Sequence, residues 1–179
     1  MSKDAAAEIL LKNWQAQTRI DALPGECLPG SRSDGYAVAG RLAELSGDET
    51  AGWKIAATSE AGQRHINVDG PLIGRILSKR LKLPGEAVPL GDNIMKVAEA
   101  EFAFRFARSL PPRSGAYSYD DAMAAVASLH LSIEIPDSRY DDFTKVGAPS
   151  LTAAPACASW LTVGPAVDNA WRGIDLSQH

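Results

Sequence analysis

The run Val97-Ala98-Glu99-Ala100-Glu101-Phe102-Ala103-Phe104-Arg105-Phe106, followed by Ser132-Ile133-Glu134-Ile135-Pro136-Asp137-Ser138-Arg139, decides how the rest of the chain is read. Side chains alternate across an extended strand, so the first run sets Phe102, Phe104 and Phe106 on one face and Glu99, Glu101 and Arg105 on the other. A helical reading is poorer, because Phe102 and Phe106 would share a face while Phe104 fell off it. Two carboxylates on neighbouring same-face positions repel each other. A hard divalent ion held by oxygen ligands would relieve that repulsion, and Glu134, in a second apolar segment, would supply a third ligand. The same spacing also fits the solvated face of a half-buried strand, and spacing alone leaves both readings open.

Around this run, composition points to one globular unit. A chain of 179 residues is long enough for one substantial core and short for two domains. With 45% apolar and 22% charged residues it matches the globular norm, which argues against wholesale disorder. The net charge of -4 gives no general attraction to nucleic acid or to an anionic membrane surface. Lys79-Arg80 with Lys82 forms a basic cluster that reads as solvated surface. Cys27 and Cys157 have no partners at metal-site spacing, which argues against a disulfide framework or zinc site and fits a reducing cytoplasm. No apolar run approaches membrane-spanning length, and Met1-Ser2-Lys3-Asp4 lacks the apolar core of a secretion signal.

Helical signals dominate the first part of the chain. Ala5 to Gln17 carries Ile9, Leu10 and Trp14 at helical spacing, with Leu23-Pro24-Gly25 as its stop. Ser33 or Asp34 reads as the cap of a second helix through Leu45, ended by Gly47. From Gly52 the texture changes, and Trp53-Lys54-Ile55 and Ile73-Gly74-Arg75-Ile76-Leu77 read as short strands punctuated by glycine and proline. Ser118 with Asp121 resembles a capping box opening a helix through His130, with Ala122, Val126 and Leu129 on its apolar stripe. The fold class expected is α/β (α+β), with helices over residues 1–50 and a mixed β-rich core over 51–179, in a single domain.

Five motifs in order carry a family resemblance: Gly52-Trp53-Lys54-Ile55, Thr58-Ser59-Glu60-Ala61-Gly62-Gln63, Val68-Asp69-Gly70-Pro71-Leu72, Ala98-Glu99-Ala100-Glu101-Phe102, and Ile133-Glu134-Ile135-Pro136-Asp137-Ser138-Arg139. Together they resemble the 2-keto-4-pentenoate hydratase branch of the fumarylacetoacetate hydrolase family, from about Tyr36 onward. The resemblance implies a fumarylacetoacetate-hydrolase-like core and a metal-dependent lyase that adds water to a 2-hydroxy-2,4-dienoate or 2-oxo-4-enoate during aromatic-compound breakdown. It also implies Glu99, Glu101 and Glu134 as ligands of magnesium or manganese, Lys54 as an acid/base group, and a small 2-oxo acid as substrate. Decarboxylation of a 2-oxo diacid is an alternative within the same chemistry, since fold and metal site do not fix the reaction.

Other residues read less sharply. Lys54 between Trp53 and Ile55 either lays its stem on apolar surface with the ammonium in water, or serves as a proton carrier if enclosed near a metal. Asp137 and Arg139 suit a local ion pair orienting the Glu134 segment. His130 reads as a helix end, and His65 lies in a polar stretch where contact with a substrate carboxylate has no support from spacing. Cys157, among small residues, reads as a buried small hydrophobe.

Two departures from the family pattern stand out. Ala154-Pro155 replaces an Asp-Asn pair usual in the branch, removing two hydrogen-bonding side chains and a backbone donor. The chain also ends at Asp175-Leu176-Ser177-Gln178-His179, where relatives continue with a segment that completes the β-rich core. A C-terminally truncated sheet would leave edges and apolar faces exposed, so a homo-oligomer or association with an intact homologue is expected. These features also support a non-catalytic or degenerate member.

Overall fold

The computed structural model describes residues 1–178. Helix α1 (Lys3–Ala16) ends earlier than the Leu23-Pro24-Gly25 stop requires, because Gln17 adopts the left-handed conformation and its N–H bonds back to the Asn13 and Trp14 carbonyls. Helix α2 (Arg32–Ser46) is capped by Ser31, whose hydroxyl accepts the Asp34 N–H, and not by Ser33 or Asp34. Such a cap stabilises by about 1 kcal/mol. Gly47 closes α2 in the left-handed conformation, as the sequence predicts.

Strand β1 (Thr50–Ala56) and strand β2 (Leu72–Leu77) form an antiparallel pair, joined through helix α3 (Glu60–His65). A second sheet takes β3 (Leu81–Lys82), β4 (Glu99–Phe106), β5 (Val126–Ile135) and β6 (Trp160–Ala166) in the order β3-β6-β5-β4. Within it β3 runs parallel to β6, and the other neighbours are antiparallel.

Helix α4 (Tyr119–Ala125) opens with the expected capping box between Ser118 and Asp121. It then stops five residues short of His130, because Val126 begins β5. Val126 and Leu129 pair with Phe106 and Phe104 of β4, the residues from His130 onward also pair with β6, and this pairing outweighs the helical spacing. His130 therefore sits mid-strand, where Nδ1 donates to the Gly164 carbonyl at 2.8 Å and Nε2 accepts from the Ser128 hydroxyl at 2.8 Å.

Helix α5 (Gly147–Ala153) packs across α2 at the glycine Gly35, where an added Cβ would collide with the Pro149 carbonyl. The largest core cluster joins α1, α2, α5 and the segment before α5 through Leu10, Trp14, Val38, Leu42, Ala153 and Tyr140. Ile20 and Tyr140 form a parallel bridge that stitches the loop after α1 to the loop after β5. Arg80 corrects the reading of a solvated basic cluster: its guanidinium lies 4.5 Å from the ring centroids of both Trp14 and Trp160, a cation bridge between helix and sheet.

Of the last segment, Trp171 is buried against Val126 and Leu129 and 5.8 Å from Phe104, so it caps one end of the β4/β5 apolar face. Phe102, Phe106, Leu131 and Ile133 on that face remain exposed. His179 lies outside the described residues.

Candidate metal centre and its cavity

The strand reading of the opening run fixes the geometry of the acidic group. In the β4/β5 register Glu99 stands opposite Glu134 and Glu101 opposite Ser132, so alternation places all three carboxylates on one face. One oxygen from each of Glu99, Glu101 and Glu134 lies within 4.8 Å of the others. Lys54, projecting from β1, reaches Glu134 Oε2 with its Nζ at 2.9 Å. Both side chains are nearly enclosed, at 10% and 3% exposure, so Lys54 does not extend into water.

This arrangement is electrostatically unbalanced. Three carboxylates meet one ammonium, and Oε1 of Glu134 is buried with no hydrogen-bond partner. Burial pushes the Glu134 carboxyl above the usual carboxylate range; Lys54 pulls it back, while Glu99 and Glu101 push it further up. Desolvation raises Glu101 as well, opposed by Lys54 and reinforced by Glu99. An orphaned buried oxygen beside two further carboxylates is a donor set that suits a hard cation and is costly without one.

A cavity of about 510 Å³ opens onto this group. Its ionic wall carries Lys54, Glu99 and Glu101, and its apolar wall includes Ile66, Leu72, Phe143 and Leu151. Ala57, Ala156 and Cys157 line it with positive φ angles of 56°, 49° and 62°. Non-glycine residues adopt this conformation at a cost, and such strain gathers at functional sites. Cys157 is half-buried on this wall, and desolvation pushes its thiol up to about 11.

Sequence reasoning missed two supports. Gly74, opposite Lys54 in the β1/β2 register, has no room for a side chain: an added Cβ would strike the Pro155 carbonyl and come within 2.9 Å of Lys54 Cγ. A glycine inside a strand pattern was the available signal of close approach. The expected Asp137–Arg139 pair forms at 3.0 Å, but Asp137 does more: it takes Arg19 at 2.8 Å and accepts the Ile94 N–H at 3.1 Å. Asn93 adds a bond to the Pro136 carbonyl, so the loop that supplies Ile94, Met95 and Val97 to the cavity is tied to the end of β5. At the departure site, Ala154 is buried, and Pro155 opens a short 3-10 turn over Pro155–Cys157.

The chain resembles proteins of known activity. A 2-keto-4-pentenoate hydratase of Burkholderia vietnamiensis is 31% identical over 137 residues, covering 74% of this chain and 52% of that protein. A 2-hydroxypent-2,4-dienoate hydratase of Pseudomonas putida is 29% identical, covering 82% and 66%. The names of these relatives support the resemblance to the 2-keto-4-pentenoate hydratase branch that the five motifs carry. No family model matches the chain. The fumarylacetoacetate-hydrolase-like fold is seen in 4-oxalocrotonate decarboxylase from Pseudomonas putida G7, complexed with magnesium and adipate, which superposes with a TM-score of 0.79 at 22% identity. That match covers 97% of this chain and 66% of the decarboxylase. Against the first of these hydratases, the chain spans about half the relative's length.

Proposed function

We propose that this chain carries a metal-dependent lyase site that adds water to a 2-hydroxy-2,4-dienoate or 2-oxo-4-enoate, giving a 4-hydroxy-2-oxo acid in aromatic-compound catabolism. The observation that supports it most is the unpartnered Glu134 Oε1 within a three-carboxylate group on a cavity wall. Glu99, Glu101 and Glu134 would hold magnesium or manganese. When bound, the ion would supply Lewis-acid stabilisation of the charge that develops on a chelating 2-oxo carboxylate.

The chain's own residues account for the remaining work. Lys54 is enclosed beside Glu134 and is the group placed to give or take a proton as water crosses the double bond. Glu134, with one oxygen on Lys54 and the other free, orients that ammonium toward the acidic group. The apolar wall around Phe143 and Leu151 keeps bulk water from the far side of the cavity.

A second reading, decarboxylation of a 2-oxo diacid, draws on the fold neighbour and on the same acidic group. We also propose a single cytoplasmic domain. The exposed apolar side of β4 and β5 supports association with a second copy or with a longer homologue.

The test is the loss of conjugated absorbance from 2-hydroxypenta-2,4-dienoate with magnesium or manganese present. Glu101→Gln should reduce that rate at least tenfold, and Lys54→Ala should lower turnover more than metal affinity. Unchanged turnover in Lys54→Ala would remove its proton-transfer role. Failure to bind either ion would favour the non-catalytic class.

A further inference from the structure

The acidic group sits at the least secured point of its sheet. Glu99 and Glu134 are the last cross-strand pair of the β4/β5 ladder, and among the described residues β4 is the edge strand, with no neighbour on its other side. The ends of a ladder fray, and like charges placed directly opposite each other weaken the pairing further. Without an ion, this end of the ribbon therefore carries a force that opens it.

The segment that enters β4 has no secondary structure of its own to resist that force. Residues 93–98 lie in neither helix nor strand, and Lys96 holds a φ of 52°. Side-chain bonds to the exit of β5 hold the segment instead. Asn93 donates to the Pro136 carbonyl at 2.8 Å, and the Ile94 N–H donates to Asp137 Oδ1 at 3.1 Å. Arg19 closes the set from the loop after α1. Its Nη2 donates to the Asp92 carbonyl at 2.6 Å, ahead of β4, and to Asp137 Oδ2 at 2.8 Å, beyond β5. Its Nη1 donates to the Gln17 carbonyl at 2.9 Å, which roots the guanidinium at the end of α1. Arg19 and Asp137 side chains are each 8% exposed, so water competes little for this bond. Arg139 does not duplicate the role, since its bonds to Asp137 Oδ2 and to the Asp137 carbonyl both stay on the β5 side. Lysine at position 19 would offer one compact charge where arginine offers a planar fork spanning three acceptors.

We propose that Arg19 is a positioning residue for the acidic group: by bridging the entry of β4 to the exit of β5, it holds Glu99 against Glu134 before an ion arrives. The purpose of this clamp rests on the metal reading above, whereas the clamp itself rests on the hydrogen bonds alone.

The test places two readouts on Arg19→Met, in which Asp137 keeps Arg139 as its partner and no buried charge is left unpaired. In the metal-free chain, hydrogen exchange followed by mass spectrometry should show residues 98–104 exchanging about tenfold faster than in the parent, while residues 38–45 of α2 keep their rates. Glu99→Gln in the same background should restore most of that protection, because it removes the repulsion that the clamp opposes. Titration calorimetry on the folded proteins should show manganese bound about tenfold more weakly by Arg19→Met, with Arg19→Lys recovering only part of the loss. A role confined to general stability would lower the unfolding midpoint and move neither readout. Unchanged exchange over residues 98–104, or no restoration by Glu99→Gln, would overturn the clamp. Faster exchange with unchanged manganese affinity would overturn its bearing on the site. A parent chain that binds neither manganese nor magnesium would overturn the metal reading, a result distinct from failure of the clamp.

Discussion

The helical layer and the sheet layer of this molecule satisfy their side chains in opposite ways. Around Leu10, Val38 and Leu42 the packed cluster is made of apolar and aromatic side chains; Tyr140 donates its hydroxyl to the Ser150 carbonyl at 3.1 Å, and Trp14 Nε1 is buried without a partner. Around Glu134 three carboxylates crowd one ammonium, one buried oxygen has no partner, and three cavity residues hold positive φ angles. The first region crowds no like charges together, and there the closure of α2 and the packing of its apolar side chains agree. The second contains local conflicts that stability alone does not explain, and such conflicts concentrate where chemistry is done.

The contrast can be broken most forcefully from the helical side. Leu42→Ala should cost about 2–5 kcal/mol in urea unfolding, because a fully packed side chain leaves a cavity. The folded variant should still bind manganese as the parent does. A parallel loss of metal affinity would show that the two layers are not separable in this sense.

On the sheet side the sign should reverse. Magnesium at 100 times its dissociation constant should raise stability by about 2.7 kcal/mol, since binding is linked to folding. Glu101→Gln should abolish most of that gain while leaving the metal-free protein no less stable, because it removes one of the repelling charges. A metal-free Glu101→Gln protein that unfolds more readily would mean the carboxylate is structural.

The smallest effect compares the two thiols. Cys27, buried in the helical core, should be alkylated only as the protein unfolds. Cys157, on the cavity wall with its thiol pushed up to about 11, should hold roughly a thousandth of its sulfur as thiolate at pH 8. Its alkylation, followed by mass spectrometry, should be slow and should accelerate as pH rises toward that value. Fast labelling of Cys157 at neutral pH would show that its surroundings favour the anion.

What the sequence disclosed follows the same division. The alternation of Phe102, Phe104 and Phe106 against Glu99 and Glu101 was readable because a strand's period is local, and so was the Ser118–Asp121 capping box. The switch from α4 to β5 at Val126 was not, since Val126 and Leu129 satisfy helical spacing too and only pairing with distant β4 and β6 decides between them. Ser31 displaced Ser33 as a cap because either serine suits the role and the start of α2 is set by its packing. For the site, the residue types and their shared face were legible, whereas the Lys54–Glu134 contact, the need for Gly74 and the ties to Arg19 and Asn93 depend on segments far apart in the chain.

The Ile20–Tyr140 bridge bears on how the molecule is assembled in time. The packing of α1 and α2 includes Tyr140, Ala153 and Ala154, so the first fifty residues lack part of their own interior until the chain beyond β5 has been made. Closing so long a loop carries an entropic cost that rises by about 0.6 kcal/mol with each doubling of its length, and the reward comes only after closure. Folding dominated by such distant contacts is slow. A nascent chain emerging from the ribosome would therefore hold α1 and α2 as uncommitted helices, and both layers would settle together late in synthesis.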